Sequence, residues 1–224
     1  MSDTQTSYQM LESIVPVSFP ASPSYEDSVK SYFAQQNSQV RPSCVLSPVS
    51  VEEVAAALPA LVSILDQKDR TLAIRAGGHS YLAGSSNTAN GVTIDLRNLN
   101  AIQVSQDRST VWVGAGATWG ELYALYAQLD ALHLSVVGTR VSDVGVGGFI
   151  TGGGISYFSP RYGWACDTAF SFEIVLEDGS VIHASDHHRV DLARALRGGS
   201  NNFGIVTRVK FQAFEQGPLW GGVM

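Results

Sequence analysis

Positive charge is scarce in this chain of 224 residues: Lys and Arg number 14 against 20 Asp and Glu, a net charge of −6. No basic field is present to draw in nucleic acid or an anionic membrane. Cysteine is scarcer still. Cys44 and Cys166 stand alone without a C-x-x-C spacing, which excludes a disulfide scaffold and a thiolate zinc knuckle. No apolar run approaches the ~20 residues that cross a bilayer. No basic residue precedes Lys30, so the positive start of a secretory or transit signal is missing. These gaps lead to the expectation of a cytoplasmic protein with neither a membrane nor a nucleic-acid partner. Disorder is excluded too, because 45% of the residues are apolar and only 15% charged, enough for a packed core.

The coarse pattern alternates between helix and strand without a strict order. Residues 1–40 hold a lead-in rich in Ser, Thr and Pro, expected to be poorly ordered or a strap over the surface, and then a short helix. Ser24 is placed to cap that helix, which carries Val29, Tyr32 and Phe33. Ser50-Val51-Glu52-Glu53 is a capping box opening an amphipathic helix through Val54, Leu58, Leu61 and Leu65 to about Lys68. Strands are expected at 71–75 and 92–96, and a hairpin at 101–105 and 110–114 with Asp107-Arg108 in its turn. Thr118-Trp119-Gly120-Glu121 opens a second capped helix through Leu122, Leu125, Tyr126 and Leu129. A hairpin turns at Asp178-Gly179, a helix follows over 187–196, and a last strand over 205–214. Failure of βαβ alternation predicts an α+β fold with mixed or antiparallel sheets.

Several motifs fail on inspection. Gly114-Ala115-Gly116 follows a strand and precedes a helix, but the third glycine, Gly120, comes one place late for a dinucleotide fingerprint. No Gly-x-x-x-x-Gly-Lys-Ser/Thr is present. Gly78-His79-Ser80 and Gly154-Ile155-Ser156 lack the second glycine of a nucleophile elbow, where Leu82 and Phe158 stand. His183, His187 and His188 do not suit a metal, since adjacent histidines on a helix point apart. Two glycine-rich loops remain. Arg75-Ala76-Gly77-Gly78-His79-Ser80-Tyr81 follows a strand, and consecutive glycines there expose amides that can cradle a diphosphate without a lysine. The loop at 138–154 carries Gly138, Gly145, Gly147, Gly148, Gly152, Gly153 and Gly154 among Val144, Val146, Phe149 and Ile150, which want burial. Backbone laid along a flat, extended ligand fits that mixture better than a flexible linker does.

Taken in order, R-A-G-G-H-S-Y, V-x-V-G-A-G-A-T-W-G-E-L, the long glycine stretch, R-Y-G-W-A-C-D, E-D-G and R-G-G-S-N-N-F-G-I-V-T resemble one known domain. It is the PCMH-type FAD-binding domain of the vanillyl-alcohol oxidase/p-cresol methylhydroxylase superfamily. The chain is most similar to the berberine-bridge-enzyme-like FAD-linked oxidoreductases, many of them fungal. The resemblance spans 41–215 and implies two α+β subdomains with FAD extended between them, leaving 216–224 as a linker-like tail. It implies a covalent bond from His79 to the flavin 8α-methyl carbon. It also implies cofactor binding by Arg75 and the loop after it, with Ala76, Gly77, Gly78, His79, Ser80 and Tyr81 cradling the diphosphate. Gly138, Gly145, Gly148, Gly152 and Gly153 are implied along the isoalloxazine and ribityl parts, and Gly204, Ile205 and Val206 near the adenine. Val141 stands where some members carry a second flavin-linked cysteine, so a bicovalent flavin is not expected, and Cys166 is expected to be buried packing. Val144 occupies the place where a small aliphatic residue admits dioxygen, which implies oxidase-like hydride transfer from an alcohol, phenolic or secondary-metabolite substrate.

Members of that family continue into a substrate domain that covers the flavin and supplies acid–base groups. No general base is therefore assigned, and a separate chain carrying that domain is one expected partner beside the small-molecule substrate. An uncovered flavin face is expected to favour self-association. Three readings stay open: an oxidoreductase domain, a truncated or degenerate FAD-binding module without turnover, and a non-flavin protein using the same glycine-rich surface for another phosphate ligand.

Overall fold

The strands pair into a four-stranded sheet, a five-stranded sheet and one two-stranded ladder. The computed structural model describes residues 8–66, 71–122 and 133–220. The first sheet holds β1 (Val17–Ser18), β2 (Cys44–Leu46), β3 (Leu72–Arg75) and β4 (Val92–Asp95), in the order β1-β2-β4-β3. β1 runs antiparallel to β2, whereas β2 and β3 both run parallel to β4. There follow β5 (Ile102–Val104), β6 (Thr110–Gly114), β7 (Leu134–Ser135), β8 (Ala169–Val175), β9 (Val181–Ser185), β10 (Ile205–Gln212) and β11 (Phe214–Glu215). Five of these form an antiparallel sheet in the order β5-β6-β10-β8-β9, while β7 and β11 pair alone. The fold is α+β with one mixed and one antiparallel sheet, as the irregular element order predicts.

Capping sets the helix starts. In α1 (Pro23–Lys30), Ser22 rather than Ser24 is the N-cap: its oxygen accepts from Tyr25 N at 3.4 Å, and Pro23 takes the first helical position, where its missing N–H costs nothing. Ser24 instead pairs its hydroxyl with that of Ser18, 2.6 Å away. Tyr32 and Phe33 lie past the helix end, not on its face. In α2 (Val51–Asp66), Glu53 N donates to Ser50 Oγ at 3.3 Å, and the Glu53 carboxylate accepts from Val49 N at 3.0 Å. The expected continuation to Lys68 lies outside the described residues. The Thr118–Glu121 box is reciprocal, at 2.6 Å and 3.3 Å, and a helix starts at Trp119; Leu125, Tyr126 and Leu129 lie outside the described residues.

Among the shorter helices are α3 (Val146–Thr151) and α4 (Val190–Leu196). The expected helix over 187–196 starts three residues late. Arg189 takes a left-handed φ of 51°, and His187 and His188 sit in the turn that returns His188 to Ser185. Among the described residues no group of three His, Cys, Asp or Glu gathers as a metal site.

One apolar core joins both sheets. Leu46, Ile94 and Leu96 from the first half and Val113, Trp119, Phe172, Val209 and Phe211 from the second are buried in a single cluster. The lead-in is part of it: Tyr8 and Leu11 are 0% exposed. From Tyr8 on, the expectation of a poorly ordered start is replaced by that of a strap, because those side chains fill space against the core. Cys44 and Cys166 are both buried, and neither is in a disulfide. Among the described residues no helix is long and apolar enough to cross a membrane.

Candidate functional site

A cleft of about 370 Å³ opens between the two halves, walled by the loop after β3 on one side and by the 144–151 segment and the start of β10 on the other. The alternation of β3 makes the first wall. Ala73 and Arg75 point inward, so the strand ends on a buried cation, 1% exposed. The Arg75 guanidinium lies over the Tyr32 ring at 4.0 Å and 3.6 Å from the Asp95 carboxylate. It donates to Ser28 O, and to Ser31 O and Oγ at 3.2 and 2.9 Å. Burial pushes the guanidinium below its usual range and Asp95 opposes that fall, while burial also pushes the Tyr32 phenol well up.

Anchored there, the chain turns at Gly78, whose φ of +70° suits glycine and where a Cβ would meet Arg75 Nε at 2.8 Å. The rest of the loop is staked from behind. Asn37, fully buried, donates to Ser80 O and Leu82 O at 2.8 and 3.0 Å and accepts from Gly84 N at 3.2 Å. Tyr32 donates its hydroxyl to Ser86 O at 2.7 Å. His79 has no such tie. Its Nε2 is occluded and without a partner, and so is Ser86 Oγ.

The opposite wall is built by backbone contacts. Trp119 N donates to Val144 O at 3.0 Å, Val146 N to Ala117 O at 2.8 Å and Gly147 N to Ala115 O at 3.0 Å. These bonds bring Gly145 against Gly77, so closely that a Cβ on Gly77 would stand 2.4 Å from Gly145 N. Gly148 is the opposite case, with nothing within 4 Å of where its Cβ would be.

Of the sequence-predicted site residues, Ala76, Gly77, Gly78, His79 and Ser80 line the first wall; Val144, Gly145 and Gly148, with Gly204, Ile205 and Val206, line the second. The others stand back from it. Arg75 is the buried anchor, and Tyr81, 67% exposed, sets its ring edge-on to Phe33. Gly138 is packed under Trp119, where a Cβ would lie 2.4 Å from the indole. Gly152 ends α3, and Gly153, at φ +101°, turns the chain so that its carbonyl accepts from Cys166 N at 2.9 Å. Sequence reasoning missed Ser85 and Ser86, Phe149 and Thr151, and Ser200 and Asn201 on the wall. The last two lay inside the R-G-G-S-N-N-F-G motif and were legible there; the serine pair had no local signal beyond the Gly84 turn.

The family described as FAD binding domain matches residues 42–185. Among curated relatives, FAD-dependent monooxygenase CTB5 of Cercospora beticola is 42% identical over 209 residues, which are 92% of this chain and 39% of that protein. Among solved structures, 6-hydroxy-D-nicotine oxidase of Arthrobacter nicotinovorans superposes with a TM-score of 0.79 at 27% identity, covering 90% of this chain and 42% of that one. BBE-like 1 of Physcomitrella patens gives a TM-score of 0.80 at 26% identity over 93% of this chain and 44% of its own. The chain spans about two fifths of the length of the curated relatives it matches.

Proposed function

This chain belongs to the FAD binding domain family, with berberine-bridge-like enzymes among its structural relatives, and we propose that its cleft holds FAD joined covalently to His79 in an oxidase-type oxidoreductase. The observation that carries this reading is the state of His79. The ring lines the cleft with Nε2 sealed and unpartnered, which leaves Nδ1 as the nitrogen able to meet a ligand. The residues around it fit the cofactor. Ser80, Ser85 and Ser86 line the cleft, and Gly148 leaves bare backbone facing open space. The glycine-rich turn at 77–78 offers amides to a diphosphate without a cationic side chain.

When bound, FAD supplies the two-electron acceptor for substrate hydride that protein side chains lack. The protein holds and orients. Ala76 to Ser80 would grip the anionic part through backbone, and Gly204, Ile205 and Val206, on the opposite wall, would take the adenine. Val144 is the aliphatic side chain we assign to dioxygen entry. Val144→Ile is expected to slow reoxidation by dioxygen about tenfold, the penalty of one added methylene in a tight apolar passage, and to leave turnover with a dye acceptor unchanged. Stopped-flow reoxidation in air-saturated buffer measures it.

The substrate proposed is an alcohol or phenolic metabolite. His79 is the only titratable side chain on the described wall, so a bond to the cofactor leaves that wall with no group to take the substrate proton. We place that base outside it, in a further domain or partner chain. The same observation favours a second reading, an FAD-binding module without turnover of its own.

The test is a visible spectrum of the chain supplied with FAD, followed by fluorescence of the denatured band, with His79→Ala as control. A fluorescent wild-type band that is lost in the variant is expected. Wild-type chain that takes up FAD and gives a dark band overturns the covalent bond, and chain that never takes up FAD overturns the whole reading. Peroxide formed with alcohols or phenols separates the oxidase from the silent module.

A further inference from the structure

We propose that Phe33 is a positioning residue for His79, its ring holding the imidazole in the plane from which the open nitrogen reaches a cofactor. The inference rests on the covalent reading of His79 given above. A loop histidine is ordinarily oriented by a hydrogen bond from one ring nitrogen, and His79 has none: Nε2 is sealed without a partner. Left to its own side-chain torsions, such a ring turns freely, because its second torsion is broad. What fixes it is a stack. The Phe33 and His79 rings lie 3.9 Å apart at an interplanar angle of 15°.

Phe33 is otherwise poorly placed for stability, with 58% of its surface exposed. Its backbone is tied to the same loop, since Phe33 N donates to Gly78 O at 3.2 Å. The residue before it, Tyr32, packs beneath Arg75 and bonds to Ser86 O. Two consecutive aromatic residues thus grip the loop at different points, Tyr32 at its buried root and Phe33 at the histidine. Tyr81 sets its edge against Phe33 at 5.9 Å and steadies the outer ring.

The bond that Phe33 prepares forms between the ring nitrogen of His79 and the 8α-methyl carbon. One hydrogen leaves the nitrogen and one the carbon, and the electron pair stays on the cofactor. Dioxygen then takes up two electrons and two protons and becomes hydrogen peroxide. Bond formation of this kind depends steeply on alignment, and a misplacement of about 1 Å costs up to about a hundredfold in rate.

The experiment supplies the full chain with FAD in air. It follows non-covalent uptake by quenching of flavin fluorescence, and covalent attachment by intact mass over time. Phe33→Ala and Phe33→Leu are expected to attach flavin at least about tenfold more slowly than wild type with uptake unchanged, and Phe33→Trp to restore the rate. Leu keeps apolar bulk without a planar face, so it decides the matter if the Ala variant does not fold. Attachment at the wild-type rate in Phe33→Leu overturns the proposal and leaves the His79 reading standing. Slow attachment that Trp does not restore also overturns it, as a bulk effect. No attachment in wild-type chain that binds FAD overturns the His79 reading, and this inference with it.

Discussion

Gly145→Ala is expected to destabilise the chain by about 3 kcal/mol or more and to abolish flavin uptake. The added Cβ would stand 2.2 Å from Gly77 N and 2.7 Å from Gly77 Cα. Overpacking is ordinarily relieved by a side chain that changes rotamer, but here the obstacle is backbone on another loop. That loop is held in turn by Arg75, Asn37 and Phe33. The conformation at Gly145, φ −73° and ψ 142°, is open to alanine, so the whole cost comes from the collision. Gly148→Ala is the control. It lies inside α3 with nothing within 4 Å, and there alanine is the better helix former, so folding is expected unharmed or slightly favoured. Urea midpoints for the two variants, with flavin binding measured on each, check the pair.

The same contact separates what was legible in the sequence from what was not. Local signals were readable: the boxes at Ser50–Glu53 and Thr118–Glu121, and the turns at Asp107-Arg108 and Asp178-Gly179, each act within a few residues. The glycine-rich loops were readable as loops, and most of their predicted residues stand on the cleft wall. What a glycine faces was not. Gly77 and Gly145 meet each other, Gly138 meets Trp119, and Gly148 faces open space, yet all sit in similar local sequence. Partners so far apart along the chain are set by tertiary packing, which no window of sequence contains. The burial of Tyr8 and Leu11 was hidden for the same reason, inside a stretch whose Ser, Thr and Pro read as loose. Arg75 shows the limit most plainly. Only the strand's register decides that this cation points inward.

Asp95→Ala is the second large effect, an expected loss of about 3–5 kcal/mol. Arg75 and Asp95 expose 1% and 3% of their side chains, so solvent does little to screen the pair. Removing the carboxylate leaves a buried guanidinium with Arg97 nearby and only the neutral acceptors of Ser28 and Ser31. It also strips Ser28 Oγ of its acceptor at 2.7 Å and Arg97 Nε of partners at 3.0 and 3.1 Å. Arg75→Met is expected to cost less, because Asp95 keeps Ser28 and Arg97. Denaturation in urea at low and high salt tests both variants: the difference between them is expected to persist at 1 M salt, as it does for a pair shielded from water. A midpoint for Asp95→Ala within a few tenths of a kcal/mol of wild type would show that the neutral acceptors suffice.

The order in which the strands are made differs from the order in which they lie. β10 sits between β6 and β8, so the central strand of this sheet leaves the ribosome after both of its neighbours. Until it arrives, β6 and β8 each present a row of unmet amides and carbonyls beside apolar Val111, Val113, Phe172 and Ile174. The nascent chain therefore passes through an interval in which its two stickiest edges are bare. Its yield in a cell depends on how fast that gap is closed, or on a chaperone that guards it meanwhile.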